Sequence, residues 1–150
     1  MIRVARFGDI PRLCELVIEA HGKSKYRDIK LNINLFKDLC KNCIVSGNGC
    51  LFVCETKGTV EGYLIGAVDV LYQILTVKYA TDLQFYVSEN AGRGAFGLMN
   101  SFLGWARDQK VYSVRIGAVD MIENYDRFSA LLKRKGFAQE GILFEKRMMQ

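Results

Sequence analysis

The chain has 150 residues, 50% of them apolar and 25% charged, which suits one soluble globular domain over 1–150 with a real core. No stretch approaches the roughly 18 unbroken apolar residues of a membrane span. The start, Met1 to Arg6, alternates like a strand and lacks the apolar core of a leader, so the expected setting is cytoplasmic. A net charge of +5 suits phosphate-bearing or acidic partners, and is too mild and dispersed to imply nucleic acid.

In chain order, Ile2 to Arg6 predicts a first strand. Asp9 looks like an N-cap, with Pro11 tolerated in the first turn of a helix reaching about Ala20. Ile10, Leu13, Cys14, Val17 and Ile18 form its apolar stripe. His21, the one histidine, reads as a helix-end residue more readily than as a catalytic base. Gly22 to Lys30 reads as a loop or broken helix, and a second helix is predicted over about Ile33 to Val45.

A hairpin follows: Cys50 to Thr56, a turn at Lys57-Gly58-Thr59, and a return strand from Val60 to Leu71. Tyr72 to Tyr79 is apolar for a connection, and reads either as strand continuation or as a wall for an acceptor substrate. Ala80 to Val87 predicts a fourth strand, Leu83, Phe85 and Val87 on one face and Asp82, Gln84 and Tyr86 on the other. A helix over Phe96 to Arg107, a strand over Ser113 to Val119 and a helix over Asn124 to Lys135 come next. Gly136 looks like the C-cap of that last helix, and Ile142 to Met148 like a closing strand. The order β-α-α-β-β-β-α-β-α-β implies an α/β fold, a mixed sheet with helices on both faces.

Five cysteines invite a zinc reading through Cys40-x-x-Cys43 and Cys50-x-x-x-Cys54. Helical spacing puts Cys40 and Cys43 on the stripe of Phe36, Leu39 and Ile44, and Cys50 shares a strand face with Phe52 and Cys54. Small core hydrophobes are the stronger reading, no metal is expected, and reduced thiols are the default. Lys133-Arg134-Lys135 reads as a solvated helix end, where the dipole favours cations.

The run Ala91-Gly92-Arg93-Gly94-Ala95-Phe96-Gly97 stands between a strand and a helix. Helix-start N–H groups lack intrahelical partners, and the dipole adds positive potential. Glycine allows close approach of a phosphate to the backbone, and Arg93 adds a cation. It is a ready anion site.

Element order and local runs together resemble the GCN5-related N-acetyltransferase (GNAT) family over essentially the whole chain. Gly8-Asp9-Ile10-Pro11 resembles the family's start of its first helix, and Val60-Glu61-Gly62-Tyr63 its hairpin return. Phe85 to Gly97 resembles its fourth strand and acetyl-CoA pyrophosphate loop, and Lys135-Gly136-Phe137 its C-terminal signature. The family loop usually runs Gln/Arg-x-x-Gly-x-Gly/Ala, and no register here satisfies it: Ala91 or Gly92 takes the Gln/Arg place. Leu132 stands where many members carry the tyrosine that protonates the departing thiolate.

The resemblance implies a mostly antiparallel sheet and direct transfer of an acetyl group from acetyl-CoA to an amine on a protein or small molecule. It implies cofactor contacts from Phe85, Tyr86 and Val87, from Gly92, Arg93, Gly94, Ala95, Phe96 and Gly97, and from Asn124. A backbone N–H near Tyr86 or Val87 is the family's usual donor to the thioester carbonyl. Asp82 is the candidate base; Tyr125 is a candidate acid or a packing aromatic. A homodimer is common in the family. The other reading is a GNAT-fold module, inactive or weakly active, that works through CoA or a protein partner.

Overall fold

A computed structural model describes residues 1–117 and 125–149. Compact units are Met1–Gly117 and Ala118–Gln150. The first carries β1 (Ile2–Val4), α1 (Ile10–Lys23), α2 (Ile33–Val45), β2 (Gly49–Thr56), β3 (Thr59–Val70), β4 (Lys78–Val87), α3 (Gly94–Asp108) and β5 (Ser113–Arg115). Its sheet runs β1-β2-β3-β4-β5, antiparallel except for the parallel pair β4–β5. The expected mixed sheet is therefore present.

Two cores sit on opposite faces. Leu13, Leu16 and Val17 of α1 and Phe36, Cys40 and Cys43 of α2 pack on Leu51, Val53, Tyr63 and Ile65. On the other side Leu98, Phe102 and Ala106 of α3 pack on Cys50, Cys54, Leu64 and Ala80. All five cysteines are buried and free. Burial alone pushes the Cys43 thiol up, and is the main cause that raises the Cys40 and Cys50 thiols to about 12, so these sulfurs behave as apolar filling.

Several expected boundaries move. Asp9 does not cap α1 with its side chain. Its carboxylate is gripped by the Arg3 guanidinium at 2.8 and 2.9 Å and accepts the Arg6 N–H at 2.7 Å, closing a short 3-10 turn ahead of the helix. A bidentate arginine outcompetes a lone backbone amide. Asn32, which the sequence reading passed over, caps α2 by accepting from the N–H groups of Asn34 and Leu35. Residues Leu71–Gln73 form a short 3-10 turn rather than strand, and α3 begins at Gly94, two residues before the expected Phe96.

The consequential departure lies inside β4. Ile65 pairs with Gln84 but Gly66 pairs with Asp82, so Leu83 is an extra, unpaired residue. Such a bulge shifts the alternation by one. Ala80, Phe85 and Val87 all pack on the α3 face, while Tyr86 joins the α1/α2 face. Asp82, opposite Gly66 and two residues from Ala80, is thus turned to the α3 side and does not share a face with Gln84 and Tyr86 as simple alternation predicts.

In the second unit α4 covers Tyr125–Arg134. It stops in a paired C-cap: Gly136 N–H donates to Lys133 O and Phe137 N–H to Leu132 O, both at 3.0 Å, with Gly136 at φ 90°. Only glycine adopts that backbone cheaply, so the Lys135-Gly136-Phe137 signature is a helix stop. The expected strand over Ile142 to Met148 is absent, since residues 137–149 carry no regular secondary structure. A segment becomes a strand only with a ladder partner, and among the described residues none pairs with this one.

Candidate active site

The sheet opens between β4 and β5. The two pair through Tyr79–Ser113, Ala80–Val114 and Thr81–Arg115 and then part. At the parting point Asp82 Oδ1 accepts the N–H of Gly117 at 3.0 Å. From Leu83 to Val87 no described strand pairs with that edge of β4.

On the closed edge, Ser88 N–H donates to Glu61 O at 2.7 Å. Ladder alternation then turns the Gln84 and Tyr86 amides toward β3, and those of Phe85 and Val87 toward the open edge. Of the two backbone donors the sequence reading left open, Val87 is the one aimed into the gap. The Tyr86 side chain lies on the α1/α2 face, where Lys23 Nζ donates to its hydroxyl at 3.3 Å. Burial raises the Tyr86 phenol against the pull of that lysine.

The open edge runs directly into the glycine-rich loop. Glu89–Ala91 make one 3-10 turn, capped by Ser88, whose Oγ accepts from Asn90 N–H. Gly92 takes φ 58°, ψ −117°, a backbone that suits glycine alone, and turns the chain into α3. Gly97 N–H reaches back to Arg93 O at 3.2 Å, and the Gly94 and Ala95 amides stand at the helix start, ahead of the first intrahelical acceptor. Arg93 and Phe96 are exposed, Ala95 and Gly97 half-buried, and Gly94 buried. A Cβ at Gly94 would collide with Cys54 Sγ, and one at Gly97 with Ile2. Those two glycines answer to the protein's own packing, and Gly92 to the turn.

Sequence reasoning missed the clasp beneath this loop. Glu61 is buried in β3, and its Oε2 accepts from Ser88 Oγ at 2.5 Å and from Arg12 Nη2 at 3.2 Å. Arg12 Nε also donates to Val60 O at 2.9 Å, so a helix, a strand and the loop's first residue are tied together. Its signal was one carboxylate inside the apolar run from Val60 to Ile65. The arginine offsets a charge that would otherwise oppose an anion.

Burial raises the Asp82 carboxyl above the usual 3.8, with the Gly117 N–H opposing. Asn124 lies outside the described residues, and so does the side chain of Tyr125, the first residue of α4. Leu132 is a buried aliphatic residue. Among the described residues no group of histidine, cysteine or acidic side chains is placed to hold a metal. No described helix is long and apolar enough to cross a membrane.

No family model and no curated protein matches this sequence. Solved structures match its fold. A transcriptional regulator from Bacillus halodurans C-125 superposes with a TM-score of 0.76 at 15% identity, over 99% of both chains. Ribosomal-protein-alanine N-acetyltransferase from Brucella melitensis biovar Abortus 2308 gives 0.71 at 11% identity, again over 99% of both. AAC(6')-Iy, solved with the bisubstrate analog CoA-S-monomethyl-acetylneamine, gives 0.73 at 12% identity over 99% of this chain and 98% of that one. The chain shares its fold with these acetyltransferase structures.

Proposed function

We propose that this chain is an N-acetyltransferase that moves an acetyl group directly from acetyl-CoA to an amine. The observation that carries it is the continuity of the open β4 edge with the loop from Ser88 to Gly94. An extended pantetheine arm can hydrogen-bond along an unpaired strand edge, and the pyrophosphate then meets helix-start amides. Gly92, Arg93, Gly94, Ala95, Phe96 and Gly97 supply that loop; Phe85 and Val87 supply the edge, with Tyr86 behind it.

An N–H of the open β4 edge nearer Asp82 is the donor for the oxygen on which charge develops, worth about 3–4 kcal/mol of barrier in comparable sites, and Val87 N–H, beside the phosphate loop, pairs with the pantetheine arm. Asp82 is the base, directly or through water, because a carboxyl held above its ordinary range is better matched to a proton at neutral pH. Asn124 is assigned to the cofactor and Tyr125 to the departing thiolate, since Leu132 has no proton to give. Buried, unpaired thiols suit a reducing cytoplasm.

Isothermal titration with acetyl-CoA tests the reading, followed by thiol release over a panel of amines. Micromolar binding with amine-dependent thiol release is the expected result. Absence of binding at high micromolar acetyl-CoA overturns it. Leu132 favours a second reading, a GNAT-fold module that binds CoA and acts through a protein partner. Tight CoA binding with no thiol release across the panel would select it.

A further inference from the structure

Arg115 is the feature of this face that the proposed reaction leaves unused. It stands on β5 opposite Thr81, two residues before Gly117 and the parting of the strands. Its neighbour Val114 packs in the α3 core, so Arg115 points the other way, in one row with Thr81 and Ala67. Thr81 and Ala67 are half-buried and Arg115 is exposed, so the row is open to solvent.

The guanidinium lies over two aromatic rings. Its carbon lies 4.6 Å from the Tyr79 ring centre and 5.3 Å from that of Tyr72. Tyr72 reaches it from a backbone at φ 52°, ψ 20°, and Gln73 follows at φ 66°. That strained turn is braced: Leu71 N–H donates to Val77 O at 2.9 Å, and Asp69 accepts from Val70 N–H and Gln73 Nε2 at 2.7 and 2.8 Å. Asp69, the carboxylate on the same face two strands away, is thereby engaged elsewhere. Among the described residues no carboxylate lies within ion-pair distance of Arg115.

An arginine placed over the faces of two aromatic rings keeps its in-plane N–H edge for a bidentate acceptor, and those contacts order it before any ligand arrives. Backbone strain kept at an exposed residue that braces no core points the same way. We propose that Arg115 is an anchor for the carboxylate of the acceptor, so that the substrates are amines that also carry a carboxylate. Polycationic amines are disfavoured by the same fixed charge. The substrate class rests on the acetyltransferase reading; the anion site does not.

The test has two independent arms. In the binding arm, the Nε–H signal of Arg115 is followed by NMR in the protein without CoA. The probes are N-acetyl-L-alanine, N-acetyl-L-alaninamide and inorganic phosphate. Movement with the acid and not the amide is expected; movement with neither, or stronger movement with phosphate, overturns the assignment. In the kinetic arm, free amino acids, their amides and short peptides with acidic side chains are compared as acceptors, which separates the two sources of a carboxylate. Arg115→Gln should raise KM for the carboxylate-bearing acceptor roughly tenfold or more, with kcat and acetyl-CoA affinity little changed. Arg115→Lys should restore part of it. Equal KM for acid and amide in the parent overturns the substrate class. Loss of acetyl-CoA binding in the parent instead removes the transferase reading and leaves the binding arm to decide the anion site.

Discussion

Asp82 carries two consequences at the level of a single group. Its carboxyl titrates higher in the fold than in the unfolded chain, because burial outweighs the Gly117 hydrogen bond. Between the ordinary 3.8 and that raised value the folded state holds more protons, so its contribution to stability falls as pH climbs through the interval. Asparagine keeps an oxygen for Gly117 and cannot ionise. Asp82→Asn should therefore gain stability on the parent as pH rises through this interval, and lose that gain below it; urea denaturation at several pH values reads the difference. If Asp82 is also the base, the same variant loses the acid limb of the kcat/KM profile. Asp82 was legible as an acidic residue on the fourth strand. Its orientation was not, because a bulge leaves no mark in residue identity.

Elements were legible where periodicity is long. Helix α2 lies at Ile33–Val45 as its stripe predicts. Motif meaning was less legible. The glycines of the loop read as ligand clearance, yet Gly94 sits against Cys54 and only Gly92 is demanded by its backbone. Gly94→Val should therefore destabilise the whole unit by about 1–3 kcal/mol through overpacking, which makes it a poor probe of cofactor binding. Gly92→Ala meets no neighbour and costs about 1–2 kcal/mol through φ alone. It should weaken acetyl-CoA binding by more than it lowers the denaturation midpoint. Calorimetry and urea melts on the two variants separate the effects. The clasp of Arg12, Glu61 and Ser88 escaped sequence reading because its partners are far apart in the chain, and only the sheet register brings them together.

For the molecule as a whole, sequence pattern was enough for the fold and too little for the completion of the sheet. Five strands in the order β1-β2-β3-β4-β5 follow from hydrophobic alternation and short turns. The sixth expected strand, Ile142 to Met148, carries three successive charged residues and pairs with no strand among the described residues. The bulge at Leu83 has a further consequence for how the chain tolerates change. It acts as a phase slip in a two-residue code. Along β4, polar substitutions that disrupt the α3 core should fall on even positions up to Asp82 and on odd positions from Phe85 onward. A saturation scan scored by abundance in cells should show the pattern inverting across Leu83. Deleting that one residue would restore a regular ladder and leave Asp82, Phe85 and Val87 all on the α3 face. A deletion there should thus be better tolerated than a single-residue deletion in β2, whose residues all have ladder partners.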